Sequence, residues 1–354
     1  MTTQTLERTP STSANGSDNV LELQNVSKVF GGGLLRRRLT VAVDDVSLGI
    51  PRDNPGIIAV AGESGSGKTT LARLMLGIIP PTEGAIYFNG LDIAALNRRD
   101  RREFRREVQP IMQDPFEVYN PFYKVDHVLM APVTNFGLAQ NKREARNLVI
   151  ESLETVGLRH QETLGRFPHQ LSGGQRQRIM VARALLLKPR IIVADEPVSM
   201  VDASLRATIL GSIDLLNKEL GIAVIYITHD LTTAFQISDN IIVMYQGSVV
   251  ETGRVEDVIQ NPQHPYTQLL VESIPRPDPK ERWGREMASQ ETGGDAENLG
   301  CRFAPRCPFV MPECTAEMPP LYRIGDTQAA LCYLHRDTAT GNVQAISDVF
   351  KTAN

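Results

Sequence analysis

The stretch "GIIAVAGESGSGKTTLARLMLGII", residues 56 to 79, constrains this chain more than any other. It opens with a short, wholly apolar run that ends on glycine, the pattern of a strand buried on both faces. It closes with apolar residues at Leu71, Leu74, Met75 and Ile78, which is helical spacing. Between them lies a loop of glycines and serines. Strand, tight loop and helix in that order predict an α/β core with a mostly parallel sheet. Two further apolar runs, "RIIVAD" and "IAVIYIT", each follow a helical segment and extend the same sheet.

The loop itself, Gly62 to Thr69, matches the phosphate-binding pattern in its proper strand–loop–helix setting. Gly62, Glu63, Ser64, Gly65, Ser66 and Gly67 let successive backbone N–H groups turn around phosphate oxygens at the positive end of a helix. Lys68 is expected to reach the β- and γ-phosphates, and the Thr69 hydroxyl to hold Mg²⁺, with Thr70 beside it. Asp195 ends the strand "RIIVAD", where its carboxylate suits Mg²⁺, directly or through water. Glu196 follows at the strand's C-terminal edge, where ligands of open α/β sheets collect, and is the candidate general base. Alone, an Asp–Glu pair at a strand end reads as a salt-bridged terminus; beside a phosphate loop it reads as chemistry.

"LSGGQ", Leu171 to Gln175, then decides the class. Five fixed residues recur by chance in only about one chain in two thousand of this length. With this pentapeptide the sequence resembles the nucleotide-binding subunits of ABC transporters. The resemblance implies an ABC-type P-loop NTPase cassette: an α/β fold with a mainly parallel core sheet, an antiparallel β part and a helical subdomain. It also implies that Ser172, Gly173, Gly174 and Gln175 face the γ-phosphate bound by another subunit, as a helix N-terminus with bare N–H groups can. The chain carries one copy of each motif, so a second ABC ATPase subunit, identical or homologous, is expected.

Carried over one position at a time, the resemblance assigns Gln113 in "IMQDP" to the Q-loop, touching Mg²⁺ or the attacking water. His229 in "ITHD" becomes the switch histidine on the γ-phosphate, and Asp202 in "SMVD" the D-loop aspartate. Met200 and Val201 depart from the family's usual small residue and leucine there. Phe30 in "KVF" takes the place of the aromatic that stacks on adenine; a strand-end core phenylalanine is the rival account.

"NPQHPYTQLLVESIP", Asn261 to Pro275, resembles the hallmark that follows the cassette in the oligopeptide/dipeptide (nickel) uptake group, as do "QDPFEVYNP" and "GCRFAPRCPF". The expected activity is therefore ATP hydrolysis that powers a binding-protein-dependent importer of oligopeptides, dipeptides or oligosaccharides. The implied partners are two integral membrane permease subunits and, indirectly, an extracytoplasmic solute-binding protein. The aromatic run Phe116, Tyr119, Phe122 and Tyr123 after Gln113 is the expected permease groove. The implied location is the cytoplasmic face of the cell (inner) membrane, held peripherally.

Bulk properties agree. Charged residues are 22% and the formal net charge is -4, which gives no reason to expect nucleic-acid binding. The rival reading, a non-transport ABC ATPase acting on nucleic acid, is disfavoured by that charge and by the single cassette. The basic run Arg98 to Val108 interleaves three acidic residues and reads as a solvated helix face; residues 34–39 read as an arginine loop in solvent. Apolar runs fall far short of the ~20 residues a membrane helix needs. Residues 1–19 are polar and read as a disordered tail rather than a secretory signal. Residues 20–274 form the nucleotide-binding domain, its helical subdomain at about 110–185, followed by a linker at 275–299 and a C-terminal tail at 336–354.

All four cysteines, Cys301, Cys307, Cys314 and Cys332, fall within 300–335. In a chain expected to stay in the cytoplasm, such clustering points to metal rather than to disulfides. Four thiolates suit tetrahedral Zn²⁺ or a [4Fe–4S] cluster, and spacing does not choose. Resemblance to cluster-bearing tails of the oligopeptide group implies the iron–sulfur form, in a small loop-built staple. A redox protein with an idle nucleotide fold is excluded by the complete ATPase motifs.

Overall fold

A computed structural model describes residues 18–31, 39–53, 55–113, 119–199, 201, 203–274 and 300–350, without the side chains of 203–205. Asp202, Phe116, the loop at 34–38 and the linker at 275–299 lie outside these residues.

Strands β1 (Asn19–Phe30) and β2 (Thr40–Pro51) form a long antiparallel hairpin. β3 (Ile57–Ala61) enters the core, buried at every position. β4 (Glu83–Phe88) and β5 (Leu91–Asp92) return to the hairpin and complete a four-stranded antiparallel sheet in the order β2-β1-β4-β5. β6 (Val108–Ile111), β7 (Ile191–Asp195), β8 (Ala223–Thr228) and β9 (Asn240–Tyr245) join β3 in a second sheet, with β8 beside β3. β6, β7, β8, β3 and β9 pair in parallel. Their near-continuous Ile, Val and Ala content follows from having both faces covered.

The parallel part accounts for five of the nine strands of that sheet. β10 (Ser248–Arg254), β11 (Tyr322–Ile324), β12 (Gln328–Ala330) and β13 (Gly341–Asn342) extend it antiparallel beyond β9, in the order β13-β11-β12-β10-β9. The cysteine segment, expected as a small loop-built staple, contributes strands to this sheet. Its strands are ladders of the core sheet, and Phe303, 1% exposed, is part of a core shared with Tyr245, Val250 and Tyr266. The polar end also folds back. The Ile346 N–H donates to the Ser47 carbonyl at 2.9 Å, and the Gly49 N–H donates to Ser347 Oγ.

Helices Val125–Phe136, Lys142–Thr155 and Gly173–Leu185 pack around Leu129, Val133, Val149, Leu153 and Ile179, in the region expected to be helical. Helix Arg98–Glu107 buries only Phe104, the solvated face that its charges predict.

Candidate functional site

The parallel strand order places three motif residues together. Gln113 lies just beyond β6, Glu196 follows β7 and His229 follows β8, so all three sit at C-terminal strand ends of neighbouring strands. Gln113 Nε2 donates to Glu196 Oε2 at 2.9 Å, and His229 Nδ1 lies 3.1 Å from Glu196 Oε1. The Glu196 side chain is 18% exposed, that of His229 58%. Glu196 adopts φ 45°, a conformation that costs a non-glycine residue roughly 1–3 kcal/mol and clusters at functional sites. Its own backbone holds it there: its N–H donates to the Ile227 carbonyl, and its carbonyl accepts from the Ser199 N–H and hydroxyl.

The phosphate loop faces this trio across a cleft of about 590 Å³, large enough for a nucleotide. Ser64, Gly65, Gly67, Lys68, Thr69 and Thr70 line it together with Gln113, Glu196 and His229. Gly67 has φ 106° and caps helix Lys68–Met75; a Cβ there would collide with the Ala42 carbonyl of β2. Only glycine permits the loop to press against β2 so closely. Lys68 Nζ donates to the carbonyls of Gly62 at 2.7 Å and Glu63 at 2.8 Å. Burial pushes its ammonium below the ordinary lysine value, against the pull of Glu196, Asp195 and Glu63.

Asp195 is buried at the end of β7. Burial raises its carboxyl above the ordinary value, opposed by a hydrogen bond with Thr69. Among the described residues its Oδ1 has no hydrogen-bond partner. A buried, orphaned carboxylate oxygen beside a threonine hydroxyl fits a divalent cation.

The signature residues do not line the cleft. Ser172 caps helix Gly173–Leu185 in a reciprocal box: the Gln175 N–H donates to Ser172 Oγ, and the Ser172 N–H donates to Gln175 Oε1. That accounts for Ser172 and Gln175 structurally, while the capped helix end remains at the surface. Phe30 is not a core residue. It is 45% exposed and pairs across the hairpin with Thr40, which lines the cleft. Tyr119 corrects the expected permease groove: it is 7% exposed, and its hydroxyl donates to the Arg176 carbonyl at 2.8 Å. Phe122, 86% exposed, does face solvent.

The iron–sulfur expectation for Cys301, Cys307, Cys314 and Cys332 finds no direct support in the geometry. All four line one apolar cavity of about 10 Å³, the room of a single water. Among the described residues no group of three or more His, Cys, Asp or Glu is arranged to hold a metal ion. The thiols are unpaired. Burial pushes Cys332 up to about 12, with Cys301, Cys307 and Cys314 adding to the rise.

Two residues that matter to the loop carried no expected role. The Glu63 N–H donates to Tyr266 Oη at 2.8 Å, and Arg306 pairs with the Glu63 carboxylate at 3.2 Å. Tyr266 belongs to the "HPY" run, whose position marked it without indicating what its hydroxyl does.

Known proteins bear on this arrangement. Residues 43–199 match the ABC transporter family, and residues 250–314 match the C-terminal region of oligopeptide/dipeptide transporters. The chain is 37% identical over 332 residues to a probable peptide ABC transporter ATP-binding protein of Sinorhizobium fredii, covering 92% of this chain and 93% of that one. It is 38% identical over 325 residues to a putative oligopeptide transport ATP-binding protein of Bacillus subtilis, covering 91% and 97%. Among solved structures, the ATP-binding cassette MJ0796, a dimer bound to ADP and Pi, aligns with TM-score 0.59 and 28% identity over 66% of this chain and 98% of that one. A cbiO1 structure from Clostridium perfringens aligns with TM-score 0.60 and 26% identity over 69% and 92%. With its phosphate loop, strand-end carboxylates and signature helix in one cassette, the chain belongs to the family of ABC transporter ATP-binding proteins.

Proposed function

We propose that this ATPase subunit hydrolyses ATP at a site made from its own phosphate loop and a partner cassette's signature helix, and so drives import of peptides or oligopeptides. The convergence of Gln113 and His229 on Glu196, opposite the phosphate loop, carries the reading. Glu196 accepts the proton of the attacking water, while Gln113 and His229 hold its two oxygens in place. Lys68 and the loop N–H groups of Gly65 to Thr70 bind the phosphates. Thr69, Asp195 and Gln113 would hold Mg²⁺, which supplies charge neutralisation at the phosphates when bound. Phe30 stacks on the adenine face, supported by its exposure beside Thr40.

Ser172, Gly173, Gly174 and Gln175 serve a nucleotide held by the second subunit, as their place away from the chain's own cleft suggests. The D-loop role of Asp202 rests on the motif alone. The described residues contain no helix long and apolar enough to cross a membrane, so coupling to separate permease subunits at the membrane's cytoplasmic face is part of the proposal. Peptide cargo is supported by what the relatives are named for; nothing favours nucleic acid.

Whether the four cysteines take up metal is a subsidiary proposal, supported only by their convergence on one cavity. Iron and zinc analysis of anaerobically purified protein decides it. Four irons per chain would uphold the cluster, one zinc would uphold a simpler site, and neither would leave a thiol-lined core. The main reading is tested in proteoliposomes with the cognate permeases. ATP turnover should rise when a peptide-loaded binding protein is added and be lost in Lys68→Ala; turnover indifferent to peptide would contradict it.

A further inference from the structure

Glu63 is held at three points. Its N–H donates to Tyr266 Oη at 2.8 Å. Its carbonyl accepts from Lys68 Nζ at 2.8 Å and from the Ser66 N–H at 3.2 Å. Its carboxylate meets both terminal nitrogens of Arg306, the nearest pair at 3.2 Å. Two of these holds come from the chain's C-terminal end, 203 and 243 residues away in sequence.

The holding side chains are themselves fixed. Tyr266 is fully buried, in a helix capped by His264, whose Nδ1 accepts the Tyr266 N–H at 3.0 Å. His264 is in turn set by Glu251 of β10, which accepts the His264 and Gln263 N–H groups at 2.8 Å each. Arg306 lies over the rings of Tyr245 and Phe303, with its Cζ 5.8 and 5.7 Å from their centroids. It ends the turn Ala304–Arg306, and the flanking Arg302 pairs with Asp44 of β2 at 3.0 Å. An exposed ion pair on its own contributes little, about 0–1 kcal/mol. Arg306 differs from that case. Its side chain is 27% exposed, against 43% for Glu63, its guanidinium lies over two rings, and its partner is the residue whose carbonyl fixes the phosphate-loop lysine.

We propose that Tyr266 and Arg306 are positioning residues for the phosphate loop: by fixing the Glu63 peptide and carboxylate they set where Lys68 is presented, and hence the chain's affinity for ATP. The cysteine-bearing segment thereby acts on the nucleotide site of its own subunit. This rests on the reading of Gly62 to Thr69 as the ATP loop. No chemical step is assigned to either residue.

The test uses the full chain. Equilibrium ATP binding, KM and kcat for ATP, and melting temperature are measured for wild type, Tyr266→Phe, Arg306→Ala, Arg306→Lys, Glu63→Gln and the Glu63→Gln/Arg306→Ala pair. Tyr266→Phe and Arg306→Ala should each raise the Kd for ATP roughly three- to tenfold, the size of one net hydrogen bond. KM should rise in step while kcat stays within about twofold, the mark of lost uniform binding. Arg306→Lys should fall between, since it keeps the charge and loses the fork. The double variant should bind no worse than the weaker single variant, because both changes remove one contact. A lowered melting temperature with ATP affinity unchanged would reduce these residues to structural struts and overturn the proposal, as would additive effects in the pair. Should Arg306→Ala fail to fold, Tyr266→Phe, which keeps the ring, decides alone. A wild-type chain that does not bind ATP would overturn the reading of the loop; normal wild-type binding with unshifted variants would overturn only the part assigned here.

Discussion

His229 Nδ1 lies 3.1 Å from Glu196 Oε1 although the two residues are 33 positions apart. The contact exists because β7 and β8 are parallel neighbours and each residue follows the end of its strand. With Gln113 on the other oxygen, the carboxylate has little rotational freedom left before any nucleotide arrives.

Loss of His229 should therefore disorder the base more than it weakens binding. His229→Ala is expected to lower kcat by about 10²-fold, the scale of a single catalytic contact, with the Kd for ATP changed only a few-fold. Single-turnover kinetics with radiolabelled ATP separates the two. An equal loss in both would make His229 a binding residue.

The surface beyond Gln113 divides between core and contact. Tyr119→Phe should cost about 1 kcal/mol of stability, the net value of its hydrogen bond to the Arg176 carbonyl. Phe122→Ala should leave stability and basal ATPase activity unchanged and reduce peptide-stimulated turnover in proteoliposomes, since a ring this exposed has packing to lose only against a partner. Unaltered stimulation would place the permease contact elsewhere.

His264 gives a pH dependence. Burial, with a smaller contribution from His335, lowers its pKa from 6.5 to about 3. Below pH 6.5 the unfolded chain takes up a proton that the folded chain refuses, so this contribution to stability is present above 6.5 and is lost as pH falls toward 3. Glu251, raised by burial to about 7, works oppositely: its folded state keeps a proton that the unfolded chain releases above 4.5, and stability is lost as pH rises through 7. Replacing His264 with Asn keeps a capping acceptor and removes the titration. The stability advantage of wild type over His264→Asn should then shrink by up to about 1.4 kcal/mol per pH unit below 6.5. Urea unfolding of both proteins at pH 7.5 to 5 reads this directly; a constant gap would mean that His264 titrates normally.

The candidate site was legible in sequence wherever its geometry is carried by several residues within one short run. The phosphate loop, Asp195 and Glu196, and the signature helix each carry their geometry locally, through glycines, a strand end and a helix cap. The C-terminal part was not legible in this way. β11 and β12 have three residues each and β13 has two, too few to show a period, and they become strands only because β10 offers an edge. The aromatic character of Tyr119 indicated a contact but not which side it faces. Tyr266 and Arg306 reach Glu63 across more than 200 residues, a relation no local pattern encodes. Four crowded cysteines signalled their shared location correctly, because they converge on one cavity; what they ligate is not encoded in their spacing.

The central claim is that Glu196 is the base. Glu196→Gln keeps the shape and a partner for Gln113 while removing the proton acceptor. ATP turnover by this variant, measured together with its oligomeric state in ATP, tests the claim most directly. Hydrolysis should fall by roughly 10²–10⁴-fold, and ATP should hold two chains together as a stable dimer that wild type forms only transiently. Turnover near the wild-type rate would contradict it.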